Sequence, residues 1–155
     1  MHHARHPRRA VLMGLLASFA LLCVAAPVAQ AQSPAAELSR SDEKNIRAVV
    51  QSQLDAFAAD DSKKAFSFAT PGIQKVMVNA ERFMALVQAS YPMVYRPAAV
   101  AFLKPEQSAG EVVQRVQLTD ARGTPWLALY SMEQQKDKSW RIGGCVVVPE
   151  TRQSA

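Results

Sequence analysis

The apolar residues of this chain change period once, near the segment "YPMVYRP" at residues 91–97, and that change limits the folds open to it. Ahead of it, Ile46, Val49, Val50, Leu54 and Phe57 recur at the spacing of one helix face. Behind it, Val112, Val116 and Leu118 alternate with polar residues, the spacing of a half-buried strand. Helices followed by strands imply an α+β fold: about three helices packed on one face of a four-stranded antiparallel sheet.

The boundaries follow from local chemistry. Ser41 caps a first helix that runs to about Ala59, with Asp42 and Glu43 in the first turn, where the helix dipole favours acids. Asp60 or Asp61 caps a short second helix presenting Ala65, Phe66 and Phe68, and Pro71-Gly72 ends it. "IQKVM" adds a further helical turn. Asn79 caps a third helix, "AERFMALVQAS", which ends before Pro92 because a residue preceding proline avoids helical dihedrals. Pro92 and Pro97 bracket an extended elbow. Strands are expected at 98–104, around 112–118, at 126–133 and at 140–148, the last stopped by Pro149. Residues 105–110, 120–123 and "QQKDKS" read as turns, and Gly143-Gly144 as a bulge.

The first 31 residues read as a secretory leader rather than part of the fold. Arg5, Arg8 and Arg9 are followed by an apolar run from Val11 to Ala26 and by Ala29-Gln30-Ala31, an A-x-A cleavage signal. A lipoprotein reading would acylate Cys23, but Leu22 stands where a small residue is needed. Cleavage after Ala31 predicts an exported, periplasmic or secreted protein with no membrane attachment of its own. Residues 32–40 then form a flexible tether, 41–149 a single domain and 150–155 a disordered tail.

Loss of the leader removes much of the available chemistry. Of the 155 residues 124 remain, enough for one modest core. Fifteen of the 18 basic residues stay against all 13 acidic ones, a net charge of +2 with no footprint for nucleic acid. His2, His3 and His6 all leave, and Cys145 is the one cysteine left. Zinc sites draw on Cys and His, and Ser-His-Asp or Cys-His catalysis needs an imidazole base. No metal site, cofactor or internal disulfide is therefore expected.

The remaining candidates are few. Asp60-Asp61 is the best carboxylate pair, for proton transfer opposite a tyrosine at 91, 95 or 130, or simply as a helix cap. Tyr91, Tyr95 and Arg96 suit the lip of a pocket, each tyrosine offering an apolar ring with a polar tip. Phe57, Phe66, Phe83, Leu86, Trp126, Tyr130, Met132 and Trp140 could wall it. Arg115 and Arg141 lie in strands and could hold an anionic group, or face water. Cys145, among valines and without a base, reads as a small buried hydrophobe.

Three stretches carry a resemblance: "IRAVVQSQLDAFAADDSKKAFSFATPGIQ", "FMALVQASYPMVYRP" and the ending "SWRIGGCVVVP". Together they resemble the bacterial family called domain of unknown function 4864, over Asn45 to Pro149. That likeness implies a small relative of the cystatin-like cone folds, such as nuclear transport factor 2-like and SnoaL-like domains. In those a curved sheet wraps a long helix and encloses a pocket. Where such folds often carry Asp-Gly in the last hairpin, this chain has Asp137-Lys138. The family supplies no catalytic residues.

Three functions follow as expectations. The first is a non-catalytic binding module whose small pocket takes an apolar or anionic molecule, bounded by Tyr91, Tyr95, Arg96, Trp126, Tyr130 and Arg141. The second is a cofactor-independent, isomerase-like proton-transfer enzyme using Asp60 or Asp61 with a tyrosine. The third is a structural subunit that forms a homodimer through its sheet.

Overall fold

The structure is a computed structural model and describes residues 37–150. The expected leader and the tail from 151 lie outside the described residues. Five helices precede five strands: α1 (Arg40–Ala58), α2 (Ser62–Ser67), α3 (Pro71–Met77), α4 (Ala80–Ser90), α5 (Pro92–Tyr95), β1 (Ala99–Phe102), β2 (Glu106–Ser108), β3 (Glu111–Thr119), β4 (Pro125–Gln134) and β5 (Trp140–Pro149). The fold class is α+β as expected, with two more helices and one more strand. Among the described residues no helix is long and apolar enough to cross a membrane.

Each helix starts on a side-chain or proline device. The cap of α1 is Ser39 rather than Ser41: its Oγ accepts from the Asp42 amide at 3.0 Å and donates to the Asp42 carboxylate at 2.6 Å. Asp61 caps α2 and Asn79 caps α4, accepting from the amides of Lys64 and Arg82. One of the two added helices, α3, contains the helical turn expected at "IQKVM", and both begin on prolines. Thr70 caps α3 and Pro71 occupies its first turn, while Pro92 opens the single turn of α5. Proline lacks only an N–H that a first turn leaves unused, so both residues begin helices where an end and an extended elbow were expected.

The corner between α1 and α2 is a Schellman motif. The Asp60 amide donates to Phe57 O at 3.1 Å and the Asp61 amide to Ala56 O at 2.9 Å. Asp60 occupies the left-handed position at φ +57°, a place usually held by glycine.

All strand pairs are antiparallel, in the order β1-β3-β4-β5, with β2 also paired to β3. β1 faces residues 116–119 of β3 and β2 faces 111–113, so the two share one edge of β3 end to end. The short β2 lies within the stretch expected to be turn only. Its hairpin to β3 passes through Ala109 and Gly110, both at positive φ, as a tight two-residue turn requires. In the last hairpin Lys138 takes the left-handed position at φ +68°, where Asp-Gly would place glycine. Asp137 holds that turn by accepting from the Ser139 amide and hydroxyl.

One face of the sheet carries the core. Val112, Val116 and Leu118 of β3, Ala128, Tyr130 and Met132 of β4, and Trp140 and Ile142 of β5 are buried against Ile46, Val50, Leu54 and Phe57 of α1. Gln53 is buried among them and donates to Ala65 O at 3.1 Å, tying α2 to α1. The chain between α2 and α3 is stitched to β5, with Thr70 N donating to Ile142 O and Ile142 N to Phe68 O, both at 2.9 Å. The expected bulge is present. Ser131 faces Gly144 and Met132 faces Ile142, which leaves Gly143 unpaired. A Cβ on Gly143 would run into the Glu133 side chain.

Candidate functional site

The helices do not fill the space over the β4–β5 end of the sheet. A cavity of about 170 Å³ remains there. Phe57 reaches it from α1, Ile73 and Met77 from α3, and Phe83, Leu86 and Val87 from α4. Tyr91 and Val94 close it from α5 and its cap, and Tyr130, Ile142 and Cys145 form the sheet side. The Phe83 ring lies 5.8 Å from Phe57 and 5.4 Å from Phe66, so one aromatic side chain links three helices at the wall. Leu86 is partly exposed, and Val76 and Val78 of the α3–α4 segment are exposed beside the lining residues Ile73 and Met77.

Among the described residues no charged side chain lines this cavity. Its polar groups are Gln53, Tyr91, Tyr130 and Cys145, and the Gln53 amide is committed to Ala65 O. The Tyr130 hydroxyl is buried and makes no hydrogen bond with any described residue. Burial holds its pKa well above the ordinary 10.0, the neighbouring Cys145 adding to the effect. Burial also pushes the Cys145 thiol up to about 12. Both groups are therefore neutral near pH 7. Burial in apolar surroundings makes this thiol an inert lining group.

The structure separates the expected site residues. Tyr91 and Tyr130 line the cavity, together with Phe57, Phe83 and Leu86. Tyr95 and Arg96 turn away from it to Asp60. The Tyr95 hydroxyl donates to Asp60 Oδ1, Arg96 Nη2 donates to Asp60 Oδ2 at 2.7 Å, and Gln88 donates to the Tyr95 hydroxyl at 3.0 Å. The guanidinium of Arg96 also stacks 4.8 Å from the Tyr95 ring centroid. Asp60 and Arg96 are both more than half exposed, and Asp61 is exposed at its cap. An aspartate and a tyrosine do meet here, but at an open surface with their oxygens engaged by each other.

The remaining expectations fall outside the cavity as well. Trp126 donates to Asp120 at 3.0 Å, and Trp140 donates to Asp42 at 2.9 Å. Each indole N–H is thus anchored to a surface carboxylate, which directs the ring away from the cavity. Arg141 Nη1 donates to Ser67 O, and Arg115 pairs with Glu106. Phe66 packs on Phe83 and Met132 lies in the core, and neither lines the cavity. Ile73 and Met77 were missed. The signal was present in the Thr-Pro start at 70–71 with apolar residues four apart at 73 and 77. Among the described residues no three metal-ligating side chains converge.

Comparison with protein families agrees with the sequence resemblance. A family model described as "Domain of unknown function (DUF4864)" matches residues 39–155. The chain belongs to that family. A comparison with curated proteins finds no match. Among solved structures, the chain is similar to an NTF-2 like protein of unknown function from Burkholderia xenovorans LB400. Identity is 14%, the TM-score is 0.47, and 73% of this chain and 88% of the other are covered.

Proposed function

We propose that this DUF4864 domain is a binding module that encloses a small, uncharged, mostly apolar molecule between α3, α4 and the β4–β5 end of the sheet. One observation carries the reading: among the described residues the cavity is apolar and uncharged, yet borders a buried tyrosine hydroxyl without a partner. An apolar cavity of about 150 Å³ can stay dry and bind benzene, so a molecule with roughly six to ten heavy atoms matches the space. The expected anionic class loses its support in this cavity, because Arg96 and Arg141 both lie outside it. The proton-transfer reading has no enclosed site at Asp60. We also propose that the protein works after export, on the order of charge, apolar run and A-x-A signal in residues 5–31.

The test is calorimetric titration with a graded series of neutral ligands: benzene, benzaldehyde and indole. Saturable binding to the parent protein, lost on filling the cavity with Val87→Phe, supports the reading. No binding across the series, or binding indifferent to Val87→Phe in a folded variant, overturns it. For export, the protein recovered from its host should begin at Gln32. A retained Met1 overturns that part.

A second reading, a homodimer through the outer face of the sheet, is favoured by Val146 and Val148, which are 62% and 39% exposed. Their cross-strand partners are Leu129 and Leu127, so four aliphatic side chains form one outward patch. Sedimentation showing a dimer that Val146→Glu dissociates supports this reading. A monomer at every accessible concentration overturns it.

A further inference from the structure

A second cleft lies at the far end of α1, away from the apolar cavity, with a volume of about 520 Å³. Arg40, Lys44 and Arg47 line it at positions i, i+4 and i+7, one stripe of the helix. Facing them are Phe102, Leu103, Lys104 and Pro105, where the chain leaves β1 for β2. Like charges at four-residue spacing weaken a helix. Arg40 also occupies the first helical position, where the dipole favours acids.

These charges are not balanced internally. Among the described residues Arg40, Lys44 and Arg47 make no ion pair. The acids beside the cleft, Glu43 and Glu37, are both taken by Lys104, at 3.2 Å and 3.4 Å. Four cations against two acids leave a local charge of two positive units. The guanidinium of Arg47 stacks 4.9 Å from the Phe102 ring centroid, which fixes its plane and leaves its N–H edge free.

An independent observation lies in the same cleft. Gln114 lines it and is fully buried. Its amide Nε2 donates to Leu103 O at 2.7 Å and to Arg115 O at 2.8 Å, which fixes the side chain. Its Oε1 is buried and accepts from no described residue. A buried acceptor left unmatched destabilises a fold unless a donor is supplied. The site thus pairs donors and cations for an anion with one acceptor for a hydroxyl.

We propose that this cleft binds a phosphate ester carrying a free hydroxyl, with Arg40, Lys44 and Arg47 on the phosphate and Gln114 Oε1 receiving the hydroxyl. Arginine suits the phosphate because its planar fork matches two oxygens at once. The chemistry is shared by a soluble glycerol phosphate and a glycerol phosphate headgroup on a lipid surface, and this proposal is independent of the apolar cavity.

The test titrates the protein with glycerol 1-phosphate, followed by amide chemical shifts, and in parallel with vesicles containing phosphatidylglycerol. Saturable binding in the first arm identifies a soluble ligand; binding in the vesicle arm alone identifies a headgroup. In whichever arm binds, Lys44→Gln with Arg47→Gln should weaken it at least tenfold with the thermal midpoint not lowered. Those two residues are exposed, so their loss does not threaten folding. Sulfate, which lacks the hydroxyl, should bind several-fold more weakly than glycerol 1-phosphate. No saturable binding in either arm, binding unaffected by the double substitution, or equal binding of sulfate overturns the proposal.

Discussion

Asp60 separates a structural residue from a catalytic one by substitution. It holds the left-handed position of the α1–α2 corner at φ +57°, and its carboxylate receives Tyr95 and Arg96. Asp60→Ala loses both contacts and keeps a Cβ in the left-handed region. The Asp60–Arg96 pair is more than half exposed, so it contributes about 0–1 kcal/mol after screening. The hydrogen bond from Tyr95 contributes about 0.5–1.5 kcal/mol. Asp60→Ala should therefore cost about 0.5–2.5 kcal/mol. Asp60→Gly loses the same contacts but relieves a left-handed penalty of about 1–2 kcal/mol, so its stability should lie within about 1.5 kcal/mol of the parent. Asp60→Asn keeps an acceptor for Tyr95 and a side chain tolerant of this backbone, and should cost least or nearly so.

The assay is urea denaturation of the three variants, followed by far-UV circular dichroism. The decisive quantity is the gap between alanine and glycine, about 1 kcal/mol in favour of glycine, or roughly 4 °C in Tm for a domain of this size. Equal stabilities for those two variants would refute the left-handed assignment. A loss above about 3 kcal/mol in Asp60→Asn would show that solvent does not screen the Asp60–Arg96 pair. Any turnover abolished by Asp60→Asn in a folded protein would move the residue from the corner to the chemistry.

Burial raises the Cys145 thiol from 9.0 to about 12, so the folded chain keeps a proton that the unfolded chain releases between those values. Stability should be complete below pH 9 and fall as pH rises toward 12, by about 1.4 kcal/mol per pH unit; Cys145→Ala should delay that onset until Tyr130, also raised by burial, takes over above 10.0, and an unchanged onset refutes the assignment. At the other end of the scale, hydrogen bonds from Ser39 and then Trp140 hold the Asp42 carboxyl below 3.8, and the Trp126 indole is the largest cause of the same depression at Asp120. These contributions are present above pH 3.8 and fade as pH falls below it, so tryptophan fluorescence should shift only under pH 3.8, and a midpoint above pH 4 contradicts the pairing. Val78 is exposed and sits at φ +73°, a conformation that a β-branched residue adopts only under strain. Val78→Gly should stabilise the fold by about 0.5–1 kcal/mol in urea denaturation, and a destabilised variant argues against strain at the α3–α4 junction.

What could be read from the sequence was whatever its local chemistry determines. Asp61 and Asn79 cap the helices expected of them because a short oxygen-bearing side chain satisfies the free amides one turn ahead. Pro71 and Pro92 were misread because proline is equally suited to stop one helix and to start the next. β2 escaped notice because "EQS" has no apolar alternation and pairs only through its backbone. The Asp60–Tyr95–Arg96 cluster joins residues about 35 positions apart, and no local pattern encodes such a meeting. The cationic stripe was visible as spacing along α1, but its cleft also needs Lys104 and Gln114, which the β1–β3 pairing delivers from elsewhere in the chain.

The cavity depends on one residue of register. Trp140 and Ile142 point into the core, so strict alternation along β5 would turn Gly144, Val146 and Val148 inward and Cys145 outward. The unpaired Gly143 reverses this. Beyond it Cys145 and Val147 pack on the core, and Val146 and Val148 are exposed. The bulge thus sets a small thiol opposite Tyr130 and keeps two β-branched side chains out of the space where a ligand is proposed to sit. It also creates the aliphatic outer patch. The two glycines announced a bulge in the sequence, but which strand face each later residue would join followed only from the pairing of Ser131 with Gly144 and Met132 with Ile142. Deleting Gly143 should therefore remove the bulge yet keep Cys145 opposite Tyr130, leaving the cavity and the outer patch in place, whereas an alanine inserted between Gly144 and Cys145 should turn Val146 inward, fill the cavity and remove the patch. Binding of benzene retained in a folded insertion variant, or lost in a folded deletion variant, would show that the register of β5 does not make the cavity.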